Sequence, residues 1–357
     1  MKKIILLLFV TMAGMTSCLQ NFDIEHPDYK YSTVYFGYQF PVRTLILGDY
    51  IYDNSNDNAG KFVISAHLGG LLSNKADKKF TVALDKSLCD NLVFFGTTET
   101  ILPMPDNYYK LLSTELIIPK DMMSGGVTVQ LTDAFFADPL AIKNKYVVPL
   151  RLMNNFNAVD SLLVGSKYAD NPNPDPRFVS QWFIPPKDFT MFVVKYVNEY
   201  HGTYFQWGTS KTSGSNVASS DSTYKNRWVE YNPALTLSTT GRNRVEGSFI
   251  LKSKAITGTV KMIMDFSGAY NGANSCTISG SGTMGNYTYT ITGSGKFANF
   301  EAGSYNGFGD KNRNGITLTY TINAIDKDGK TITYSAQDEL VLRSRDIVME
   351  IYTPALK

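Results

Sequence analysis

The residues of this sequence that are best suited to chemistry are aromatic rings set beside polar groups. Flat aromatic faces stack on the C–H groups of sugars, and nearby amides or carboxylates hydrogen-bond sugar hydroxyls. A first cluster contains Trp207 and Trp228, although either ring would fit equally well in the core of a β-domain. A second cluster lies on a glycine-rich loop. We predict that both clusters contribute to a glycan-binding site, the second through Tyr305, Asn306, Phe308 and Asp310.

Sequence motifs for enzymatic chemistry are missing. Glycoside hydrolases need two converging carboxylates, and neither the pattern DxxDxDxE nor the pattern ExDxxE occurs. The three histidines, at positions 26, 67 and 201, lack the spacing of a zinc site. We therefore predict no catalytic residues and no cofactor. A glycoside hydrolase whose carboxylates meet only in the folded chain remains the enzymatic alternative.

A weaker candidate for a metal site overlaps the second aromatic cluster. Asp310, Asn312 and Asn314 alternate as in the first half of a calcium-binding loop. The position that should carry a bidentate carboxylate is Thr321, which cannot fill that role. An ordinary polar turn is therefore the favoured interpretation, and we predict no metal.

The N-terminal segment predicts export and lipid anchoring. Lys2 and Lys3 precede an apolar run that is too short to span a bilayer, which is typical of a secretory signal. The run leads to Met-Thr-Ser-Cys, which resembles a bacterial lipobox with Cys18 as the site of lipid attachment. We predict a signal peptide over residues 1–17 and a flexible tether over residues 18–30. The expected location is the outer membrane, lipid-anchored and facing the cell exterior.

The elements that must position these residues are β-strands. Apolar and polar residues alternate with a period of two, for example over residues 80–85, 127–132, 260–266 and 316–323. No long helical pattern appears. Aromatic residues make up 13% and charged residues 18% of the chain, which favours an all-β extracytoplasmic protein.

Proline content suggests where the chain divides. Residues 166–188 hold five of the 14 prolines, which predicts a stiff linker between domains at 31–165 and 189–357. The formal net charge of +2 for the whole chain gives no basic face for nucleic acid. The charges are nevertheless uneven, at −4 over residues 18–165 and +4 over residues 187–357.

Several stretches of sequence resemble a known family. KKFTVALDKSLCDNL (78–92), LPMPDNYYKLLSTELIIP (102–119), GVTVQL (126–131) and YVVPLRL (146–152) are similar to the N-terminal domain of unknown function of Bacteroidetes surface lipoproteins from glycan-utilisation loci. KYVNEYHGTYFQWG (195–208) resembles the start of the lipocalin-like domain that often follows it.

The resemblance implies an immunoglobulin-like β-sandwich followed by an antiparallel β-barrel, with a jelly roll as the alternative for the second domain. It also implies glycan handling, and together with the missing catalytic motifs this predicts a non-catalytic, surface-anchored lipoprotein whose partner is a glycan or polysaccharide. A structural or adhesin-like partner of an outer-membrane uptake complex, with no sugar site of its own, is a further alternative.

Overall fold

The structure is a computed structural model that describes residues 29–154, 156–215, 217–266, 273–298 and 313–357. It is almost entirely β, which confirms the fold class predicted from the sequence. Within these ranges there are two α-helices, each about one turn long: α1 (Ser55–Asn58) and α2 (Asp133–Ala137). Single 3-10 turns lie at Lys86–Cys89, Asp106–Tyr108, Val179–Gln181 and Val229–Tyr231. No helix in the described ranges has the length and apolar character needed to cross a membrane.

The first domain is a sheet domain built from short strands. Along the chain they are β1 (Thr33–Phe36), β2 (Pro41–Ile46), β3 (Lys61–Gly69), β4 (Lys78–Leu84), β5 (Leu92–Phe94), β6 (Leu102–Pro103), β7 (Tyr109–Leu111), β8 (Glu115–Ile118), β9 (Ser124–Leu131), β10 (Tyr146–Asn154), β11 (Ser161–Leu162), β12 (Ser166–Lys167), β13 (Trp182–Ile184) and β14 (Phe189–Val197). The main sheet runs in the order β11-β1-β3-β9-β8-β4-β10-β14-β2.

This sheet folds over itself where β9 meets β8. The only registered pair between these strands is Ile117 with Gly126. A side chain at Gly125 would place its Cβ 2.0 Å from the carbonyl oxygen of Ile117, so the close approach requires glycine. Alternate residues from both halves, including Phe62 and Phe80, then pack into one core. The period-two pattern of the sequence is the signature of these half-buried strands.

The second domain is a closed eight-stranded antiparallel barrel. Its strands are β15 (Gly202–Gly214), β17 (Ala234–Gly241), β18 (Arg244–Ile250), β19 (Thr259–Phe266), β20 (Ala273–Met284), β21 (Tyr287–Ala298), β22 (Gly315–Ile325) and β23 (Thr331–Ser344). Neighbours in the chain pair with each other, and β15 pairs with β23 to close the barrel. An additional strand, β16 (Ser220–Tyr224), pairs with the second half of β15. Of the two folds expected for this domain, the barrel is the one observed.

A buried carboxylate cross-links the strands inside the barrel. Asp338 on β23 is only 4% exposed and accepts hydrogen bonds from the side chains of Gln206, Tyr224 and Tyr320. The bonds from Gln206 Nε2 and Tyr320 Oη measure 2.7 and 2.8 Å. Burial raises the pKa of Asp338 and of both phenols, so the phenols remain protonated donors. The network ties β15, β16, β22 and β23 together.

The strand pairings divide the chain differently from the boundary predicted at residue 189. Strand β14, assigned from sequence to the second domain, pairs with β10 and β2 of the first sheet. The proline-rich segment 166–188 therefore connects two strands of one domain, β11 and β14, and does not link two domains. Arg177 fastens this segment to the first domain through a 2.7 Å hydrogen bond to the carbonyl oxygen of Asp90. Proline content indicates a stiff chain, but not which elements the stiff chain joins.

The last residues also return to the first domain. After the barrel, β24 (Glu350–Ile351) pairs with β2, and β25 (Pro354–Leu356) pairs with β5. Tyr352 between them packs edge-on against Phe40 and Phe94. The barrel is thus inserted between two strands of the first domain, and two passes of the chain connect them.

Candidate functional site

The junction between the domains is held by one buried guanidinium group. Arg345, at the end of the barrel, is 6% exposed and donates to three backbone carbonyl oxygens. The acceptors in the first domain are Asp49 (2.9 Å) and Leu47 (3.0 Å). The third acceptor is Asn198 (2.7 Å), in the connecting segment, residues 198–201, between β14 and β15. Burial lowers the pKa of Arg345, but an arginine stays protonated at neutral pH. The two domains are therefore held in one orientation by charge-assisted hydrogen bonds.

The last residue of the connecting segment is the half-buried His201. His201 Nδ1 accepts a 3.2 Å hydrogen bond from the backbone N–H of Thr239 on β17. Burial, together with the positive charge of Arg345, lowers the pKa of His201 to about 4. This imidazole is therefore neutral at physiological pH.

A cleft of about 610 Å³ opens at the junction. The first domain contributes Asp49, Tyr50 and Ile51, which follow the turn at Gly48. The barrel side contributes the polar groups Arg313, Asn314, Arg343 and Asp346. Clefts at domain junctions that combine apolar walls with a few polar groups are common ligand sites.

The half-buried Tyr50 lines the junction cleft, and Tyr52, which is not among the lining residues, packs against it; we call this pair the aromatic rim. The rings of Tyr50 and Tyr52 pack edge to face with centroids 5.8 Å apart, and Tyr52 is 70% exposed. Ile51 between them is 77% exposed. On the opposite wall, the carboxylate of Asp346 accepts hydrogen bonds from Thr203 and Ser344, which fix its orientation. The cleft therefore offers an aromatic face together with oriented hydrogen-bonding groups.

A second group of aromatic residues lies on the outer face of the barrel, where Phe205, Trp207, Val229 and Val341 form a small apolar cluster. Trp207 is only 3% exposed, and its Nε1 donates a 2.5 Å hydrogen bond to Glu339. The Lys225 ammonium lies 4.3 Å from the centroid of the Trp207 ring. Trp207 is thus covered by its neighbours and presents no open face for stacking.

Trp228 directly precedes Val229 of this cluster in the chain. It is half-buried, and the guanidinium carbon of Arg227 lies 4.9 Å from its ring centroid. The guanidinium of Arg343 lies 5.8 Å from the ring of Phe205, and Arg343 also lines the junction cleft. We call the three cations Lys225, Arg227 and Arg343, with the rings beneath them, the basic–aromatic strip. The strip and the cleft meet at Arg343.

The structure describes only some of the residues predicted from sequence to form a site. Cys18 and the loop residues Tyr305, Asn306, Phe308, Asp310 and Asn312 lie outside the described ranges. Asn314 is buried at the cleft, where its backbone carbonyl oxygen accepts a 2.9 Å hydrogen bond from Leu342. Within the described ranges, no group of three or more histidine, cysteine, aspartate or glutamate side chains is arranged to hold a metal.

Sequence reasoning missed the first-domain wall of the cleft. The run Tyr50-Ile51-Tyr52 stands between Asp49 and Asp53, so apolar residues are flanked by acidic ones outside any period-two pattern. That run was a usable signal for an exposed aromatic loop. Arg343 and Asp346, which line the same cleft, are almost 300 residues away in sequence. Only the return of the chain from the barrel to the first domain brings them close to this run.

We expect Trp207→Ala to destabilise the barrel by about 2–3 kcal/mol, because a buried ring and its hydrogen bond to Glu339 are lost. Trp228→Ala should cost less than about 1 kcal/mol, because its ring is half-exposed. Urea denaturation of both variants checks this expectation. Equal effects of the two substitutions on the free energy of unfolding would contradict it.

Comparison with known proteins places this architecture in a family. A family model described as an N-terminal domain matches residues 29–159, and a domain of unknown function (DUF5627) matches residues 199–346, which span the barrel. A solved structure from Bacteroides ovatus, described as a structural genomics protein of unknown function, shares 34% sequence identity. The match covers 92% of this chain and 100% of that chain, with a TM-score of 0.79. The chain belongs to the family of this Bacteroides ovatus protein.

Two further solved structures are less similar to this chain. A multidomain protein including DUF1735 from Bacteroides ovatus is 12% identical, with 88% of this chain and 94% of that chain covered and a TM-score of 0.35. An auxiliary nutrient binding protein from Bacteroides thetaiotaomicron is also 12% identical, with coverages of 84% and 90% and a TM-score of 0.33. No curated protein matches the sequence.

Proposed function

We propose that this protein is a non-catalytic glycan-binding lipoprotein, displayed on the cell exterior by a lipid on Cys18. The observation that supports this most strongly is the junction cleft, with Tyr50 in its lining, the exposed Tyr52 packed against Tyr50, and oriented polar groups on its walls. Aromatic faces recover the apolar surface of sugars, and polar groups fix the sugar hydroxyls.

The size and rigidity of the cleft fit a binding role. A volume of about 610 Å³ lies within the range of sites that enclose a small ligand or a few sugar units. Arg345 fixes the two walls relative to each other, so little ordering is needed when a ligand binds.

Lipid anchoring would make modest affinity sufficient. Single stacking contacts are weak, but many copies on one membrane can hold one polysaccharide at several points. A lipid-anchored protein of this kind would also be able to capture glycans beside an outer-membrane uptake complex.

A glycan array with the soluble chain from residue 29 onward tests the proposal. We expect binding to a restricted set of glycans, with no release of new reducing ends on prolonged incubation. Binding to no glycan would favour the structural or adhesin-like alternative. Release of reducing ends would favour the hydrolase alternative.

The anchor has its own test. Replacement of Cys18 by Ala removes the thiol that would carry the lipid, so we expect loss of acyl labelling and of outer-membrane association. Membrane fractionation after labelling with a radioactive fatty acid measures both. Acylation that persists in the variant would refute the lipobox assignment.

A further inference from the structure

Two arginines on the outer face of the barrel are stacked on aromatic rings. Arg227 lies over Trp228 and Arg343 over Phe205, with guanidinium-to-centroid distances of 4.9 and 5.8 Å. Both arginines are exposed to solvent. A guanidinium that lies over an aromatic face gains a cation–π interaction, which does not use its N–H donors.

Other stacked arginines of the protein are engaged differently. Arg151, Arg177 and Arg242 also lie over aromatic rings, and each forms an ion pair with an aspartate. Among the residues that the structure describes, Arg227 and Arg343 have no such carboxylate partner. Their positive charge and their hydrogen-bonding capacity are therefore available to a ligand.

Lys225 is a third cation over an aromatic ring, that of Trp207, which belongs to the same cluster as Phe205. Its ammonium lies 4.3 Å from the centroid of the Trp207 ring, and the carboxylate of Glu339 accepts a hydrogen bond from the N–H of that same ring. The three cations cover the aromatic faces on which an uncharged sugar would otherwise stack. The strip therefore presents cationic groups, and its rings act as their support.

The chemistry that matches this surface is an oxyanion on a polymer. Guanidinium groups bind carboxylates and sulfates through two parallel hydrogen bonds, which gives both strength and geometry. The strip continues into the junction cleft at Arg343. Residues 187–357 carry a net charge of +4, which would further attract a polyanion.

We infer that the basic–aromatic strip binds an anionic polysaccharide, one whose sugars carry carboxylate or sulfate groups. This inference rests on the proposed function, because it names the class of glycan that the adjoining cleft would receive. The polymer lies across the strip with its acidic groups on Arg227 and Arg343, and one of its sugars enters the cleft.

Affinity gel electrophoresis of the soluble chain from residue 29 onward tests the inference with three polymers. Polygalacturonate supplies carboxylates, dextran sulfate supplies sulfates, and unmodified dextran supplies neither. We expect retardation by at least one of the anionic polymers, weakening as the ionic strength rises, and none by dextran. Retardation by neither anionic polymer overturns the inference. That result alone would leave the proposed glycan-binding function standing. The proposed function is contradicted only if a broad glycan array also shows no binding.

Paired substitutions locate the binding on the strip. The double variant Arg227→Gln/Arg343→Gln should weaken binding of the retained anionic polymer at least about tenfold, because two charge-assisted interactions are lost. The control Lys254→Gln/Lys327→Gln removes the same charge from exposed residues in the β18–β19 and β22–β23 connections, and should change binding less than about twofold. Melting curves of both variants should match the wild type. Equal losses in both variants, or no loss in the arginine variant, would overturn the assignment.

Discussion

Replacement of Arg345 by Met should lower the free energy of unfolding by about 3–5 kcal/mol. The substitution removes the donor for three backbone carbonyl oxygens, on Leu47, Asp49 and Asn198, which burial keeps from finding water instead. Methionine fills much of the same volume, so the loss would reflect the hydrogen bonds more than a cavity. Removal of the buried charge offsets part of the cost, which places the expected value well below the sum of three separate penalties.

Chemical denaturation measures this loss, and Arg343→Met is the matched control. Arg343 lies two residues earlier and is exposed, so its substitution should change stability by no more than about 1 kcal/mol. A second readout is the titration of His201, followed by NMR. Because the charge of Arg345 lowers the pKa of His201, that pKa should rise in Arg345→Met. An unchanged unfolding free energy would show that Arg345 does not hold the junction.

Replacement of Asp338 by Ala should cost the barrel about 3–5 kcal/mol. The change leaves the donors of Gln206, Tyr224 and Tyr320 without their acceptor inside a packed interior, and it creates a cavity. The free energy of unfolding of Asp338→Asn should lie between those of the wild type and Asp338→Ala. The amide oxygen of asparagine still accepts hydrogen bonds, but its NH₂ group faces other donors. Asp328→Ala, in the exposed β22–β23 turn, should change stability by less than about 0.5 kcal/mol.

The effect of Asp338 should depend on pH. Burial raises the pKa of its carboxyl group in the folded protein, so the native state binds a proton more readily than the unfolded chain does. The stabilisation by Asp338 is therefore complete below the ordinary aspartate pKa and falls as the pH rises through the raised value. The stability difference between wild type and Asp338→Ala should accordingly be larger in acid than at neutral pH. A difference that grows with rising pH would contradict this account of the network.

The sequence predicted the strands well because each strand has its own local signal. Runs such as residues 80–85 and 316–323 alternate between a buried and a solvated face, and the pattern is complete within one segment. The barrel was one of two folds expected, since strand patterns do not show whether the first and last strands pair. That pairing, β15 with β23, joins residues more than 100 positions apart.

The strand pairings depart from the predicted domain boundary for a related reason. Strand β14 is apolar on both faces because a core lies on each side of it, through Val194 on one side and Val193 on the other. Such a strand would fit either domain when only the sequence is known. The candidate site depends even more on long-range contacts, because its walls come from residues near 50 and near 345. The sequence left open whether Trp207 is a core ring or a binding ring, since burial by residues that are distant in sequence is not visible in a local pattern.

Calorimetric titration of a glycan that the wild type binds, with the double variant Tyr50→Ala/Tyr52→Ala, tests the central claim most directly. We expect the variant to lose about 1–3 kcal/mol of binding free energy, because the aromatic rim of the junction cleft is removed. Tyr38→Ala, an exposed tyrosine of the first domain outside the cleft, should bind like the wild type. Undiminished affinity in the double variant, with its fold intact by melting, would contradict the assignment of the cleft as the glycan site.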